Sequence, residues 1–262
     1  MSDALLRLND ISIAYGNKFI VNNISFDVRA GEMCALLGLN GSGKTTLLKG
    51  ICGLLHPSGG RCYVNGIDIS MLNEKERAKC ISYIPQRHSK LIGVTVIDAV
   101  LMGLNASLGV LEFPSVDNKM FALYALERMN IPHLAHEDFS RLSEGQKQLV
   151  ILARTLVQNA PVMLMDEPDS ALDFHNKHMI LSEIHKLTYT EKKACLVTLH
   201  DPNPALAYCD RLILLNNGII ASELILSNAS IDDVQNCLSV VYNRINVFKY
   251  DGVFCCSYNF TN

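Results

Sequence analysis

Residues 38–45 read Gly-Leu-Asn-Gly-Ser-Gly-Lys-Thr, a complete G-x-x-x-x-G-K-[ST] pattern. An apolar run, Met33-Cys34-Ala35-Leu36-Leu37, precedes it and reads as a buried strand. A helical pattern, Thr45-Thr46-Leu47-Leu48-Lys49, follows. Strand, glycine loop and helix is the context that makes this pattern a phosphate cradle, and it limits the fold to an α/β core. Gly38, Gly41 and Gly43 let successive backbone N–H groups converge on phosphate oxygens, and the helix N-terminus adds its dipole. Asn40, Ser42 and Thr46 belong to the same expected binding surface. Lys44 is placed to bridge two phosphates, and the Thr45 hydroxyl to ligate Mg²⁺.

The surrounding pattern is that of one large α/β unit. The chain has 262 residues and 49% hydrophobic composition, enough for a single sizeable core. The first 30 residues alternate as antiparallel strands, with Leu6, Leu8, Ile11 and Ile13 among polar neighbours. Asn65-Gly66 between two apolar segments is a hairpin signal. Cys80 to Ile84 is a short strand stopped by Pro85. From about His88 to Gln158 the spacing becomes helical, with Asp117 expected as the N-cap of a second helix and another helix starting near Ser143. Strands then resume at Val162–Met165, Ala194–Leu199 and Arg211–Leu215, with helices between them. This alternation predicts a mostly parallel sheet, with ligands beyond the carboxyl ends of its strands. The expected division is a core over 1–87 and 159–227, a helical insertion over 88–158, and an extension over 228–262 carrying one helix and a hairpin.

Several function classes are disfavoured. A net charge of -3 gives no support for a nucleic-acid partner. The nine cysteines are scattered, odd in number and without C-x-x-C, and read as reduced, buried thiols. The N-terminus lacks the apolar core of a signal peptide, and no window approaches the ~20 apolar residues of a membrane helix. The glycosylation patterns at Asn23-Ile24-Ser25 and Asn259-Phe260-Thr261 therefore carry no weight.

Further chemistry lies downstream. Asp166 and Glu167 end the Val162–Met165 run, where a carboxylate faces the phosphate loop. Asp166 is suited to Mg²⁺, directly or through water, and Glu167 to polarising an attacking water. Leu142-Ser143-Glu144-Gly145-Gln146 opens a helix. Ser143 is a natural cap and Gly145 leaves room for a phosphate, although alone this is equally a capping sequence. His175, His178 and His185 share a helix side, and His133 and His136 are three apart. No cysteine or carboxylate cluster completes a metal set around either group, so they read as solvated or interface histidines.

Together these ordered motifs resemble the nucleotide-binding subunit of an ABC transporter over about residues 5 to 225. The resemblance implies a P-loop NTPase core with a mostly parallel sheet, an N-terminal antiparallel β subdomain and an inserted helical subdomain. It implies ATP hydrolysis with ATP and Mg²⁺ as cofactors. Tyr15 would stack on adenine, and Gln86 would contact Mg²⁺ and face a permease. Ser143, Gly145 and Gln146 would meet the γ-phosphate held by an opposite subunit. Ser170 to Asp173 would cross the dimer interface, and His200 would act as the switch histidine. Glu167, His200, Lys44 and Gln86 form the expected catalytic set, and Thr45, Gln86 and Asp166 the metal set. The implied assembly is a homodimer on an integral membrane permease dimer, indirectly served by a solute-binding protein, at the cytoplasmic face of the membrane.

Glu144 departs from this pattern, which usually has glycine there, and Asp169 departs more mildly. A carboxylate ~4 Å from a partner-held phosphate would cost about 4 kcal/mol at an effective dielectric of 20, so Glu144 is expected to point outward. The stretches Thr95–Gly103, Ala125–Ile131, Leu172–Phe174 and Leu199–Ala207 resemble importers of iron–siderophore complexes, haem or cobalamin. A non-transport ABC ATPase, or an interaction module with impaired hydrolysis, are the alternatives.

Overall fold

The N-terminal alternation becomes two 12-residue antiparallel strands, β1 (Ala4–Tyr15) and β2 (Lys18–Arg29). The structure is a computed structural model and describes residues 4–86, 91–109, 111–170 and 172–259. The expected boundary at His88, Ala171 of the Ser170–Asp173 stretch, and Phe260-Thr261 lie outside the described residues. Next come β3 (Met33–Leu37) and helix α1 (Lys44–Ile51), then β4 (Gly59–Val64) and β5 (Ile67–Asp68). Asn65 and Gly66 turn β4 into β5 with φ of 50° and 77°, the left-handed pair a two-residue hairpin requires. The first sheet has the order β2-β1-β4-β5.

Helix α2 (Glu74–Cys80) leads into β6 (Ile81–Ile84). A helical stretch follows, with α3 (Val96–Leu101), α4 (Val116–Arg128) and α5 (Glu144–Gln158). Ser115, not Asp117, caps α4. Its hydroxyl accepts the Asn118 N–H at 3.2 Å, and the Asn118 side chain accepts the Ser115 N–H at 2.9 Å. That reciprocal box beats a lone carboxylate, and Asp117 falls in the first turn, where its charge suits the helix dipole.

Strands and helices then alternate: β7 (Val162–Asp166), α6 (Phe174–Thr190), β8 (Ala194–Thr198), α7 (Pro202–Tyr208), β9 (Arg211–Asn216) and β10 (Ile219–Ile225). The second sheet has the order β10-β9-β3-β8-β7-β6, parallel except for β10. Strands β3, β7 and β8 are buried at every residue, which is why they read as unbroken apolar runs. Cys34 and Leu36 pack with α1 and the first sheet, whereas Met33, Ala35 and Leu37 pack with the helical stretch and α6. Burial of Met33, Leu36 and Leu37 contributes roughly 1.5–3 kcal/mol each, so both faces of β3 hold the loop's supporting strand rigid. The chain ends with α8 (Ile231–Ser239) and the hairpin β11 (Ile245–Tyr250) and β12 (Val253–Tyr258). Among the described residues no helix is long and apolar enough to cross a membrane.

Candidate nucleotide site

The glycine loop leaves the carboxyl end of β3 and closes on α1. Gly43 is the N-cap of α1 at φ 106°. A Cβ there would stand 2.9 Å from the Ile20 carbonyl oxygen, so β2 forms the floor of the loop and admits only glycine. The turn between β9 and β10 supports the other side. The Gly218 N–H donates to the Ser42 carbonyl at 3.1 Å, and Gly218 accepts from the Asn22 N–H at 2.8 Å. This prop was missed in the sequence, although Asn217-Gly218 between two apolar runs carries the same hairpin signal as Asn65-Gly66.

Lys44 is buried, and its ammonium donates to the carbonyls of Gly38 (2.8 Å) and Leu39 (3.3 Å). Burial pulls its pKa below the ordinary lysine value, against the opposing pull of Glu167 and Asp166. The Ser42 hydroxyl is buried without a partner. An orphaned donor beside a buried ammonium at the N-terminus of α1 fits an anionic oxygen ligand, so the residues present match a nucleotide phosphate chain. Asn40 and Gly41 are exposed at the loop's tip, and Thr46 is half-buried. Tyr15 ends β1 and is 56% exposed, open to a stacking partner.

Four neighbouring strand ends deliver the remaining groups. Asp166, 1% exposed at the end of β7, accepts the Thr45 hydroxyl at 3.1 Å and the Thr198 hydroxyl at 2.9 Å. A buried carboxylate opposite a hydroxyl is an oxygen set of the kind Mg²⁺ takes, usually with waters and phosphate completing its shell. Glu167 follows at φ 51°, a left-handed conformation uncommon for a residue with a side chain. Its N–H donates to the Thr198 hydroxyl at 2.9 Å. Its carboxylate accepts from the Gln86 amide and pairs with His200 Nε2 at 2.6 Å. Gln86 stands past the end of β6 and His200 just past β8. Lys44, Thr45, Gln86, Asp166, Glu167 and His200 thus lie at or beyond the carboxyl ends of β3, β6, β7 and β8, where ligands of open parallel sheets bind. Thr198 was read only as a strand residue. A hydroxyl closing the apolar run Ala194–Val197 was its signal.

Ser143, Gly145 and Gln146 form the first turn of α5. Ser143 accepts the Gln146 N–H at 3.2 Å and donates its own N–H to the Gln146 side chain at 3.0 Å, a complete capping box. Gly145 faces Leu172 and Asn176 of the same chain, and a Cβ would touch Leu172 at 3.3 Å, so packing alone already favours glycine there. The Glu144 side chain is 61% exposed and bonds Lys147 at 2.7 Å. His178 pairs its Nδ1 with the Tyr208 hydroxyl at 3.0 Å.

The ABC transporter family model matches residues 21–170. A hemin import ATP-binding protein of Shewanella denitrificans is 36% identical over 224 residues, covering 84% of this chain and 87% of that protein. An inward-facing metal-chelate type ABC transporter superposes with a TM-score of 0.80 at 27% identity, over 97% of this chain and 96% of that one. A dimeric bacterial ABC transporter cassette superposes with a TM-score of 0.77 at 27% identity, over 86% of this chain and all of that one (100%). A glycine loop on a central parallel strand, a second antiparallel sheet and this run of relatives converge on one conclusion: the chain belongs to the ABC transporter family, as one of its ATP-binding subunits, an ATPase on a P-loop cassette fold.

Proposed function

We propose that this chain is the ATP-hydrolysing subunit of a metal-chelate importer whose cargo is an iron–siderophore complex, haem or cobalamin. The convergence of Lys44, Thr45, Asp166, Gln86, Glu167 and His200 at adjacent strand ends carries the hydrolytic part. The hemin-import relative and the metal-chelate structural neighbour support the cargo class.

The loop amides, Ser42 and Lys44 hold the phosphates of ATP, and Tyr15 stacks on the adenine. Thr45, Asp166 and Gln86 would hold Mg²⁺, which when bound neutralises charge on the phosphate oxygens. Glu167 takes a proton from the attacking water as the water oxygen bonds to the γ-phosphorus and ADP leaves. His200, already on the Glu167 carboxylate, keeps that group oriented. Each site is completed by Ser143 and Gly145 of a second copy, so that ATP draws two chains together and hydrolysis lets them part. The dimeric cassette supports this pairing. The outward Glu144, held by Lys147, leaves the Ser143 turn free of a repelling charge and favours hydrolysis over a binding-only role. The paired subunits drive a separate permease from the cytoplasmic face of the membrane, with a solute-binding protein delivering cargo. The segment 88–158 carries the Ser143 turn as a helical unit, beside a core over 1–87 and 159–227 and an extension over 228–262.

Glu167→Gln tests the chemistry. It is expected to slow turnover ~10²–10⁴-fold while ATP still pairs the copies, read by light scattering. Normal turnover in that variant removes Glu167 as the base. Uptake of a labelled iron chelate into vesicles holding the subunit with its permease tests the cargo, and ATP-dependent efflux would overturn the import direction.

A further inference from the structure

The C-terminal unit is tied to the nucleotide site through two side chains, its own Tyr242 and Asn203 of α7. Tyr242, in the turn after α8, is half-buried, and its hydroxyl donates to the His200 carbonyl at 3.4 Å. Burial pushes its pKa up to about 12, while the backbone N–H of Gly38 pulls the other way. The hydroxyl therefore holds the backbone of the switch histidine, in a cavity that Leu39 of the phosphate loop also lines. A second tie runs through Asn203, in the first turn of α7. Its side-chain oxygen accepts the Cys256 N–H at 2.8 Å, and its amide donates to the Cys256 carbonyl at 3.2 Å. An amide side chain thus acts as an extra rung on the edge of β12. Asp201 caps the same helix by accepting the Asn203 N–H at 2.9 Å. Leu39 of the phosphate loop, Asp201, Asn203, Tyr242, Arg244 and Cys256 line one cavity of about 420 Å³. Residues 200–203 are therefore gripped from the C-terminal side while the His200 ring holds Glu167 at 2.6 Å.

We propose that Tyr242 is a positioning residue for ATP hydrolysis: its hydroxyl fixes the His200 backbone, and through it the imidazole on Glu167. This rests on the reading of Glu167 and His200 as the hydrolytic pair. Hydrolysis depends steeply on such alignment, since displacements of an ångström cost up to ~10²-fold. Removing one neutral hydrogen bond costs less, roughly 3- to 10-fold in rate.

Tyr242→Phe deletes the hydroxyl and keeps the ring's packing. In the full chain with its permease, kcat is expected to fall roughly 3- to 10-fold with KM for ATP little changed, because Lys44 and its contacts in the loop are untouched. The deciding measurement is single-turnover hydrolysis in the double variant. In a His200→Ala background, Tyr242→Phe is expected to slow hydrolysis by no more than about twofold, because its effect runs through the missing imidazole. Equal slowing in both backgrounds overturns the positioning role and leaves the catalytic reading standing. A wild-type rate in His200→Ala alone overturns both together.

Discussion

Asp166 and Thr198 are register partners on adjacent parallel strands, and the Thr198 hydroxyl donates to Asp166 Oδ1 at 2.9 Å. The same hydroxyl accepts the Glu167 N–H at 2.9 Å. One side chain thereby orients the proposed metal carboxylate and pins the left-handed backbone of the proposed base. Thr198→Val keeps the shape and removes both bonds. It is expected to cost about 1–3 kcal/mol in urea unfolding, because buried Asp166 and the Glu167 N–H lose partners. It should depress kcat more than ATP affinity, and Thr198→Ser should restore most of the rate. A Val variant with wild-type kinetics would show that Thr198 serves only the strand.

Gly43→Ala places a methyl group against the Ile20 carbonyl, a backbone atom of β2 that cannot swing aside. At φ 106° the alanine is also strained in its own backbone. The combined cost of about 1–3 kcal/mol should weaken ATP binding roughly tenfold or more. Titration with a fluorescent ATP analogue measures this, and an unchanged Kd would mean that the loop floor yields.

Arg211 is a buried cross-tie. Its guanidinium pairs with Glu32 at 2.8 Å and Glu223 at 2.7 Å and also donates to the Asp27 carbonyl. It joins β9 and β10 to the end of β2 and the turn into β3. Arg211→Met strands the largely buried Glu32 and should cost about 3–5 kcal/mol in chemical denaturation. Adding Glu32→Gln should recover part of that loss, and strict additivity of the two changes would deny that the pair is coupled.

Burial pushes the thiols of Cys62 and Cys195 up to about 12 from the ordinary 9.0. A raised folded-state pKa means that the native chain holds a proton that the unfolded chain releases above pH 9. The associated stability is intact below pH 9 and is lost as pH climbs from 9 toward 12, by up to ~1.4 kcal/mol per pH unit for each thiol. Thermal melts across pH 8–11 should show Tm falling above pH 9, and Cys195→Ala should make that fall shallower. Identical slopes in the variant would exclude this thiol as a contributor.

The fold was legible wherever the signal was local. The Gly38–Thr45 loop fixes a strand before it and a helix after it, and the structure has β3 and α1 there. Asn65-Gly66 fixes a hairpin by its positive φ alone. The cap of α4 was misread because Ser115 and Asp117 both suit an N-cap, and the tie is broken by Asn118, three residues beyond Ser115, which closes the box. The site residues were proposed as separate motifs. What brings Gln86, Glu167 and His200 into contact is strand order, and the neighbours of β3, β7 and β8 are set by packing, not by adjacency in the chain. The partners of Thr198, Gly218 and Tyr242 escaped notice for that reason. Each of these residues acts across a long sequence separation, on partners that periodicity does not name.

Lys44 does not wait bare. Its ammonium already rests on two carbonyls of its own loop. An arriving anion must evict the lysine from these neutral acceptors, so uptake is a swap, and the observed affinity is a difference between two sets of bonds. Such a swap rewards strongly charged oxygens and turns away weak acceptors, which builds discrimination into the loop before adenine or metal takes any part.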